Sequence, residues 1–105
     1  MMKLACHRDV WCLWNTSTML QKCGEVHVYS DFCPEHLFRY DVIIDSDCQH
    51  LQALLLDKNY RGATLVWFSK NANVCTPKLS KQIVLCTDVD ELTNAIASKQ
   101  SDFVV

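Results

Sequence analysis

The sequence predicts a single α/β domain, a three-layer sandwich in which helices cover both faces of a five-stranded parallel sheet. Short apolar or β-branched runs alternate along the chain with segments of helical periodicity, as parallel α/β domains require. Several runs are apolar throughout, which is typical of strands buried on both faces. The chain has 105 residues, half of them hydrophobic, so it has the size of one domain and can bury a core.

Five runs are predicted to be strands. Residues 25–29 alternate and contain two β-branched valines, whereas residues 41–44 follow the pattern of a buried parallel strand. Because crossovers between parallel strands are right-handed, we expect the common five-strand order 2-1-3-4-5. The predicted strands are residues 3–6, 25–29, 41–44, 63–68 and 82–86.

Helices are predicted between these strands. Asp9 and Asp47 are placed as N-caps, and Pro34 stands at the first position of a short helix. Residues 71–81 show no clear period and include Pro77, so we expect the fourth helix of the fold to be shortened or missing. The predicted helices are residues 10–22, 34–38, 48–58 and 89–99.

Charge and hydropathy exclude several classes of function. The net charge is -2 and the Lys and Arg residues are scattered, so no nucleic-acid surface is predicted. No apolar run is long enough to span a bilayer, so we expect no membrane contact by this segment. The doubled Met at the start predicts that the domain, residues 1–105, is excised from a larger protein.

The cysteines favour a reduced, cytoplasmic protein. There are seven, an odd number, and no Cys-x-x-Cys pair occurs. Cys6, His7, Cys12, Cys33 and His36 have the side-chain chemistry of zinc ligands, but structural zinc sites usually have pairs at short spacing. We therefore predict no metal and no cofactor, and expect the thiols inside apolar runs to act as small hydrophobes.

The spacing of these elements resembles that of receiver domains in two-component signalling proteins, over nearly the whole chain. Gly24 and the strand after it match the second strand of the family, and residues 40–45 resemble the third strand, which ends in the phosphoacceptor Asp. Ser69 matches the hydroxyl residue that ends the fourth strand. The resemblance implies a receiver/flavodoxin-like fold.

The residues that carry the family's chemistry differ. His7 and Arg8 stand where receivers have an acidic pair, and Thr87 stands where they have Lys. Phosphoryl transfer to Asp needs Mg²⁺, which takes carboxylate oxygens as ligands, and a fixed cation on the phosphoryl group. The predicted pocket has therefore lost the groups that would hold the metal and the phosphate.

The acceptor position is also altered. By simple count Ser46 falls there, and Asp45 or Asp47 occupies it only if the end of the third strand shifts. Asp45 and Ser69 are thus the vestigial candidates for chemistry, and no catalytic residue is expected.

The resemblance therefore implies a pseudo-receiver that accepts phosphate inefficiently. It would be a non-catalytic signalling and interaction module of a phosphorelay, within a hybrid sensor histidine kinase. The expected partners are other domains of the same kinase or a phosphorelay protein. The domain itself would not be an enzyme, and its parent, a histidine kinase, would be located in the inner membrane with this domain in the cytoplasm.

Two alternatives stay open. One is a carrier similar to the α/β subunits of the phosphotransferase system, with Cys6 or His7 as the phosphate acceptor near the end of the first strand. The chain lacks the Gly- and Ser-rich phosphate loop that such an acceptor needs. The other alternative is a zinc- or thiol-sensing module that uses the seven cysteines.

Overall fold

Five strands form one parallel sheet in the computed structural model, which describes residues 2–12, 16–69 and 83–101. Their spatial order is β2-β1-β3-β4-β5, which confirms the predicted order and is consistent with a receiver/flavodoxin-like arrangement. The strands are β1 (Lys3–His7), β2 (Glu25–Tyr29), β3 (Val42–Asp45), β4 (Thr64–Phe68) and β5 (Ile83–Cys86).

The register brings particular residues together at the carboxyl edge of the sheet. His7 pairs with Tyr29 at the ends of β1 and β2, and Asp45 pairs with Trp67 at the ends of β3 and β4. Ligand sites of open parallel sheets lie at this edge, because all the strands end there. A functional site is therefore expected at the carboxyl edge of the sheet.

The helices differ from the prediction mainly after β1. The single helix predicted over 10–22 is wrong, because the described residues form two helices there. His7, and not Asp9, is the N-cap of the first: its Nδ1 accepts the Asp9 N–H at 3.1 Å, so the helix begins directly after the strand. The helices are α1 (Arg8–Trp11), α2 (Thr16–Cys23), α3 (Pro34–Leu37), α4 (Cys48–Leu56) and α5 (Val89–Ser101).

Other local signals are confirmed. Asp47 caps α4 by accepting the Gln49 N–H at 2.9 Å, and Pro34 opens α3. The helix α4 ends at Leu56, two residues before the predicted end, because Asp57 is extended. The predicted loop over 71–81, and with it the shortened fourth helix, lies outside the described residues.

Two apolar clusters cover the two faces of the sheet. Alternation along β1 directs Leu4 and Cys6 to the face covered by α1, α2 and α5, where Leu20 and Ile96 are also buried. Ala5 belongs to the opposite face. That second cluster contains Leu37, Ile43, Leu51, Leu54 and Leu65 from α3, β3, α4 and β4. The three layers that the sequence predicts are confirmed.

None of the helices in the described ranges is long and apolar enough to cross a membrane.

Two leucines of α4 test the assignment of the core. Leu54 has no exposed surface, whereas Leu56 is 84% exposed. We expect Leu54→Ala to lower the free energy of unfolding by about 2–5 kcal/mol, because it removes buried methyl groups and leaves a cavity. Leu56→Ala is the matched control, with an expected change within about 0.5 kcal/mol. Urea unfolding measures both, and equal losses would contradict the packing of α4.

Candidate functional site

Asp45 is the one charged side chain that is fully buried among the residues the structure describes. It is the last residue of β3, and its carboxylate lies on the face of the sheet that α3 and α4 cover. A buried carboxylate costs several kcal/mol of free energy unless hydrogen-bond donors replace the water it has lost. The donors around Asp45 therefore define the site.

Three donors occupy both oxygens of this carboxylate. The Tyr29 hydroxyl donates to Oδ2 at 2.7 Å, and the His50 Nδ1 lies 3.1 Å from the same oxygen. The backbone N–H of Asp47 donates to Oδ1 at 2.9 Å. Since a carboxylate only accepts hydrogen bonds, the Nδ1 of His50 must carry a proton.

Tyr29 reaches Asp45 from two strands away. It is the last residue of β2, and β1 lies between β2 and β3. The Tyr29 ring packs edge-on against the His7 ring with 5.3 Å between ring centroids. Its hydroxyl also lies 3.2 Å from the carbonyl oxygen of Ile44, so it bridges the backbone and the side chain at the end of β3.

His50 is held by the first turn of α4. Asp47 caps that turn, and the Nε2 of His50 lies 3.6 Å from the Asp47 Oδ2. The ring stacks on Phe32, with 4.3 Å between centroids and 7° between planes. The imidazole side chain is 32% exposed, so His50 lies between the fully buried carboxylate of Asp45 and solvent.

Burial and the charge of Asp45 keep the neighbouring groups protonated. Burial, and then the negative charge of Asp45, raises the pKa of the Tyr29 hydroxyl far above its usual value. The same two causes, in the same order, raise the pKa of the Cys6 thiol to about 12. Tyr29 is therefore a permanent donor at physiological pH, and Cys6 is a thiol without nucleophilic character.

The six residues singled out in the sequence all lie at or just beyond the carboxyl edge, but they do not form one cluster around Asp45. His7 ends β1 and is nearest, because its ring contacts Tyr29 and lies 6.3 Å from His50. Arg8 begins α1 and is exposed. Thr87 follows β5 and donates a hydrogen bond to Glu91 within its own segment.

The two hydroxyl positions have structural contacts. Ser46 is exposed, and its carbonyl oxygen accepts the Trp67 Nε1–H at 3.0 Å. Ser69 follows β4, and its backbone N–H donates to the Cys86 carbonyl at 2.9 Å. Both residues thus help to tie neighbouring strand ends together.

The described residues contain no group of three or more His, Cys, Asp or Glu side chains that could hold a metal ion. The carboxylates of the third strand are separated, because Asp41 lies at the amino end of β3 and accepts the Lys3 N–H at 2.9 Å. The five residues considered as zinc ligands are also divided: His36 lies in α3 and Cys33 is the N-cap of that helix, whereas Cys6 is buried on the opposite face of the sheet.

Tyr29 and His50 are the site residues that the sequence analysis missed. Tyr29 is the final residue of a parallel strand, so its place at the carboxyl edge was a usable signal. His50 follows the N-cap Asp47 by three residues, a spacing that turns a side chain back toward the cap. Neither signal identifies Asp45 as the partner, and the contact of Asp45 with Tyr29 depends on the register of three strands.

The hydrogen bond from Tyr29 to Asp45 can be tested by removing one oxygen atom. Tyr29→Phe should lower the free energy of unfolding by about 1.5–3 kcal/mol, as expected for a hydrogen bond to a charged acceptor. The control is Tyr60→Phe, because Tyr60 donates to the neutral carbonyl of Ala63 at 2.6 Å. Its expected loss is about 0.5–1.5 kcal/mol. Urea unfolding at neutral pH measures both, and a smaller loss for Tyr29→Phe would contradict its role.

The buried thiols predict how stability changes at alkaline pH. Burial raises the pKa of Cys6 from 9.0 to about 12 and that of Cys86 from 9.0 to about 11. Above pH 9 the unfolded chain loses these protons and the folded chain does not. The stabilisation is therefore fully present below pH 9 and is lost as the pH rises toward the folded pKa values.

We expect the free energy of unfolding to fall above pH 9 by about 1.4 kcal/mol per pH unit for each of the two thiols. In Cys6→Ala the slope should be shallower by the contribution of one thiol, about 1.4 kcal/mol per pH unit. Below pH 8, roughly one unit beneath the ordinary thiol pKa, the free energy of unfolding of the variant should run parallel to that of the wild type. Urea unfolding at stepped pH under a reducing agent measures the slopes. Stability that stays constant through this range would contradict the burial of the thiols.

A scan against protein-family models, a search of curated proteins and a search of solved structures each found no match to this chain. The functional proposal therefore depends on the strand order of the sheet and on the geometry around Asp45.

Proposed function

We propose that this chain is a receiver-like interaction module that does not accept phosphate, and that it acts within a two-component phosphorelay. The strand order of the sheet supports the receiver-like part of this proposal. The state of Asp45 supports the non-catalytic part, and it is the observation that carries the proposal. Its place at the end of β3 is where a receiver would hold its acceptor.

Asp45 is poorly suited to attack a phosphorus atom. A nucleophilic carboxylate needs an oxygen with a free lone pair in line with the leaving group. Here the carboxylate has no exposed surface, and Tyr29, Asp47 and His50 donate to its two oxygens. Oδ1 keeps one lone pair, but it belongs to a carboxylate with no exposed surface, so a phosphodonor could reach it only if the packing around Asp45 opened, which adds to the barrier.

The residues beside Asp45 do not suit Mg²⁺. This cation prefers oxygen ligands in octahedral geometry. At the end of β1 the chain instead has the imidazole of His7, whose Nδ1 accepts the Asp9 N–H, and the exposed guanidinium of Arg8.

A receiver-like domain whose acceptor is permanently hydrogen-bonded has one state in place of two. It would bind its partner constitutively, because no phosphate would shift the equilibrium between conformations. The partner in this proposal is another domain of a hybrid sensor histidine kinase, or a separate phosphorelay protein, in the cytoplasm.

The carrier alternative is less well supported. Cys6 has no exposed surface, and its pKa is raised to about 12, so it would not attack a phosphoryl donor. His7 is the remaining acceptor, but its side chain is only 12% exposed and its Nδ1 caps α1.

The thiol-sensing alternative is also less well supported at Cys6 and Cys86, because buried protonated thiols resist oxidation.

Treatment with a small phosphodonor in the presence of Mg²⁺ tests the proposal. We expect intact-mass measurement to show no phosphorylated species after an incubation that labels an active receiver stoichiometrically. The same result is expected for Asp45→Asn, which keeps the shape of the side chain and removes the acceptor. Stoichiometric hydroxylamine-labile phosphate on Asp45 or Asp47 would overturn the proposal.

Phosphate that is stable in alkali and lost in acid would instead indicate a histidine such as His7 or His50, and at His7 it would favour the carrier alternative. His7→Ala and His50→Ala separate these two sites. Each variant should be compared with the wild type by its urea midpoint, so that a loss of labelling is not caused by unfolding.

A further inference from the structure

The outer edge of β2 has no neighbouring strand among the residues that the structure describes. In the described part of the chain β1 is the only strand that pairs with β2, so one side of it has no strand partner. Natural proteins usually protect such an edge with Lys, Pro or a β-bulge. The five residues of β2, Glu-Val-His-Val-Tyr, contain no Lys or Pro, and they pair with β1 in continuous register from Lys3 to His7.

The hydrogen bonds of β2 show which amides are directed outward. The Glu25 N–H donates to the Met2 carbonyl at 3.1 Å, so the backbone of Glu25 is directed toward β1. Peptide groups of a parallel strand alternate between its two sides. The peptide groups of His27 and Tyr29 therefore also face β1, and those of Val26 and Val28 face outward.

The side chains along this edge favour contact with another strand. Val28 is 44% exposed, although it is β-branched and apolar. On the other face of β2 lies an open cavity of about 430 Å³ between the strand and α3, lined by His27, Tyr29, Leu37 and Tyr40 among others. A strand added at this edge would cover Val28 on one face and close the side of this cavity on the other.

We propose that two copies of this chain pair through β2, antiparallel, with the two-fold axis at His27. This register places all five residues of one β2 opposite the five of the other. Val26 then lies opposite Val28 of the partner subunit, and the same pair occurs again across the axis. These are the residues whose peptide groups face outward, so each pair can exchange two hydrogen bonds, and the two five-stranded sheets become continuous.

The second copy is favoured because the edge is complementary to itself. A two-fold interface brings the same surface patch of both subunits together, so its charges must not repel each other. Glu25 is the only carboxylate or cation of β2, and in this register the two copies of Glu25 lie at opposite ends of the paired strands. Four residues of strand separate them by about 14 Å, which exceeds the Debye length of about 8 Å at physiological ionic strength.

Lysine substitutions on the two edge strands test the proposal with a matched control. Val28→Lys places a charge on the proposed interface, whereas Val84→Lys places the same charge on β5, at the opposite edge, where Val84 is 39% exposed. Sedimentation equilibrium of the full chain at increasing concentration should give twice the monomer mass for the wild type and for Val84→Lys. Val28→Lys should stay monomeric.

A wild-type chain that remains monomeric at millimolar concentration would overturn the proposal. So would a dimer that Val84→Lys dissociates and Val28→Lys does not. Neither outcome bears on phosphate acceptance, because the pairing of β2 does not depend on Asp45.

Amide hydrogen exchange gives a second readout that needs no variant. The amides of Val26 and Val28 should become protected at least about tenfold as the concentration rises, because only the dimer engages them. The amide of His27 bonds within the monomer and should be protected throughout. Fast exchange at Val26 and Val28 in a sample that is dimeric by mass would show that the interface lies elsewhere.

Discussion

The structure at the carboxyl edge depends on one buried carboxylate. Asp45 has no exposed surface, and a charge in that position is tolerated only with donors on both oxygens. Those donors come from two separate segments: Tyr29 at the end of β2, and the start of α4, where the N-cap Asp47 donates its backbone N–H and His50 its side-chain Nδ1–H. Each donor is held in turn, since Tyr29 packs against His7 and His50 stacks on Phe32. The carboxylate therefore orders its surroundings, and it also keeps Tyr29 protonated.

This network is also the physical basis of the proposal that the domain does not accept phosphate. A phosphoacceptor must be accessible, and a network that satisfies a buried charge removes that access. A buried, hydrogen-bonded carboxylate at the end of β3 is consistent with the residues at the end of β1. The residues there are His7 and Arg8, so the edge does not gather several carboxylates that a cation would have to neutralise. Asp45 then has a structural role, because it ties the end of β2 and the start of α4 to the end of β3.

Local signals in the sequence predicted the fold well because strands and helices leave periodic patterns. The apolar run of β3 and the alternating β2 each gave the correct element, and Asp47 gave the correct cap. The start of the first helix was misplaced because an imidazole can serve as a capping acceptor in place of a carboxylate, so the N-cap is His7 and not Asp9. The site was predicted only in part. Asp45 was found as a candidate, but its contact with Tyr29 joins residues 16 positions apart, across an intervening strand, and no local pattern carries that information.

Tyr29 belongs both to the network around Asp45 and to the strand proposed to pair with a second copy, so the two must be compatible. They are, because they use different sides of β2. The backbone of Tyr29 faces β1, and its side chain reaches Asp45 across the face of the sheet covered by α3 and α4. Dimer pairing would use the outward peptide groups of Val26 and Val28. A second copy would therefore leave the Tyr29 hydroxyl in place, and because paired strands lose freedom, it would hold that donor more firmly on Asp45.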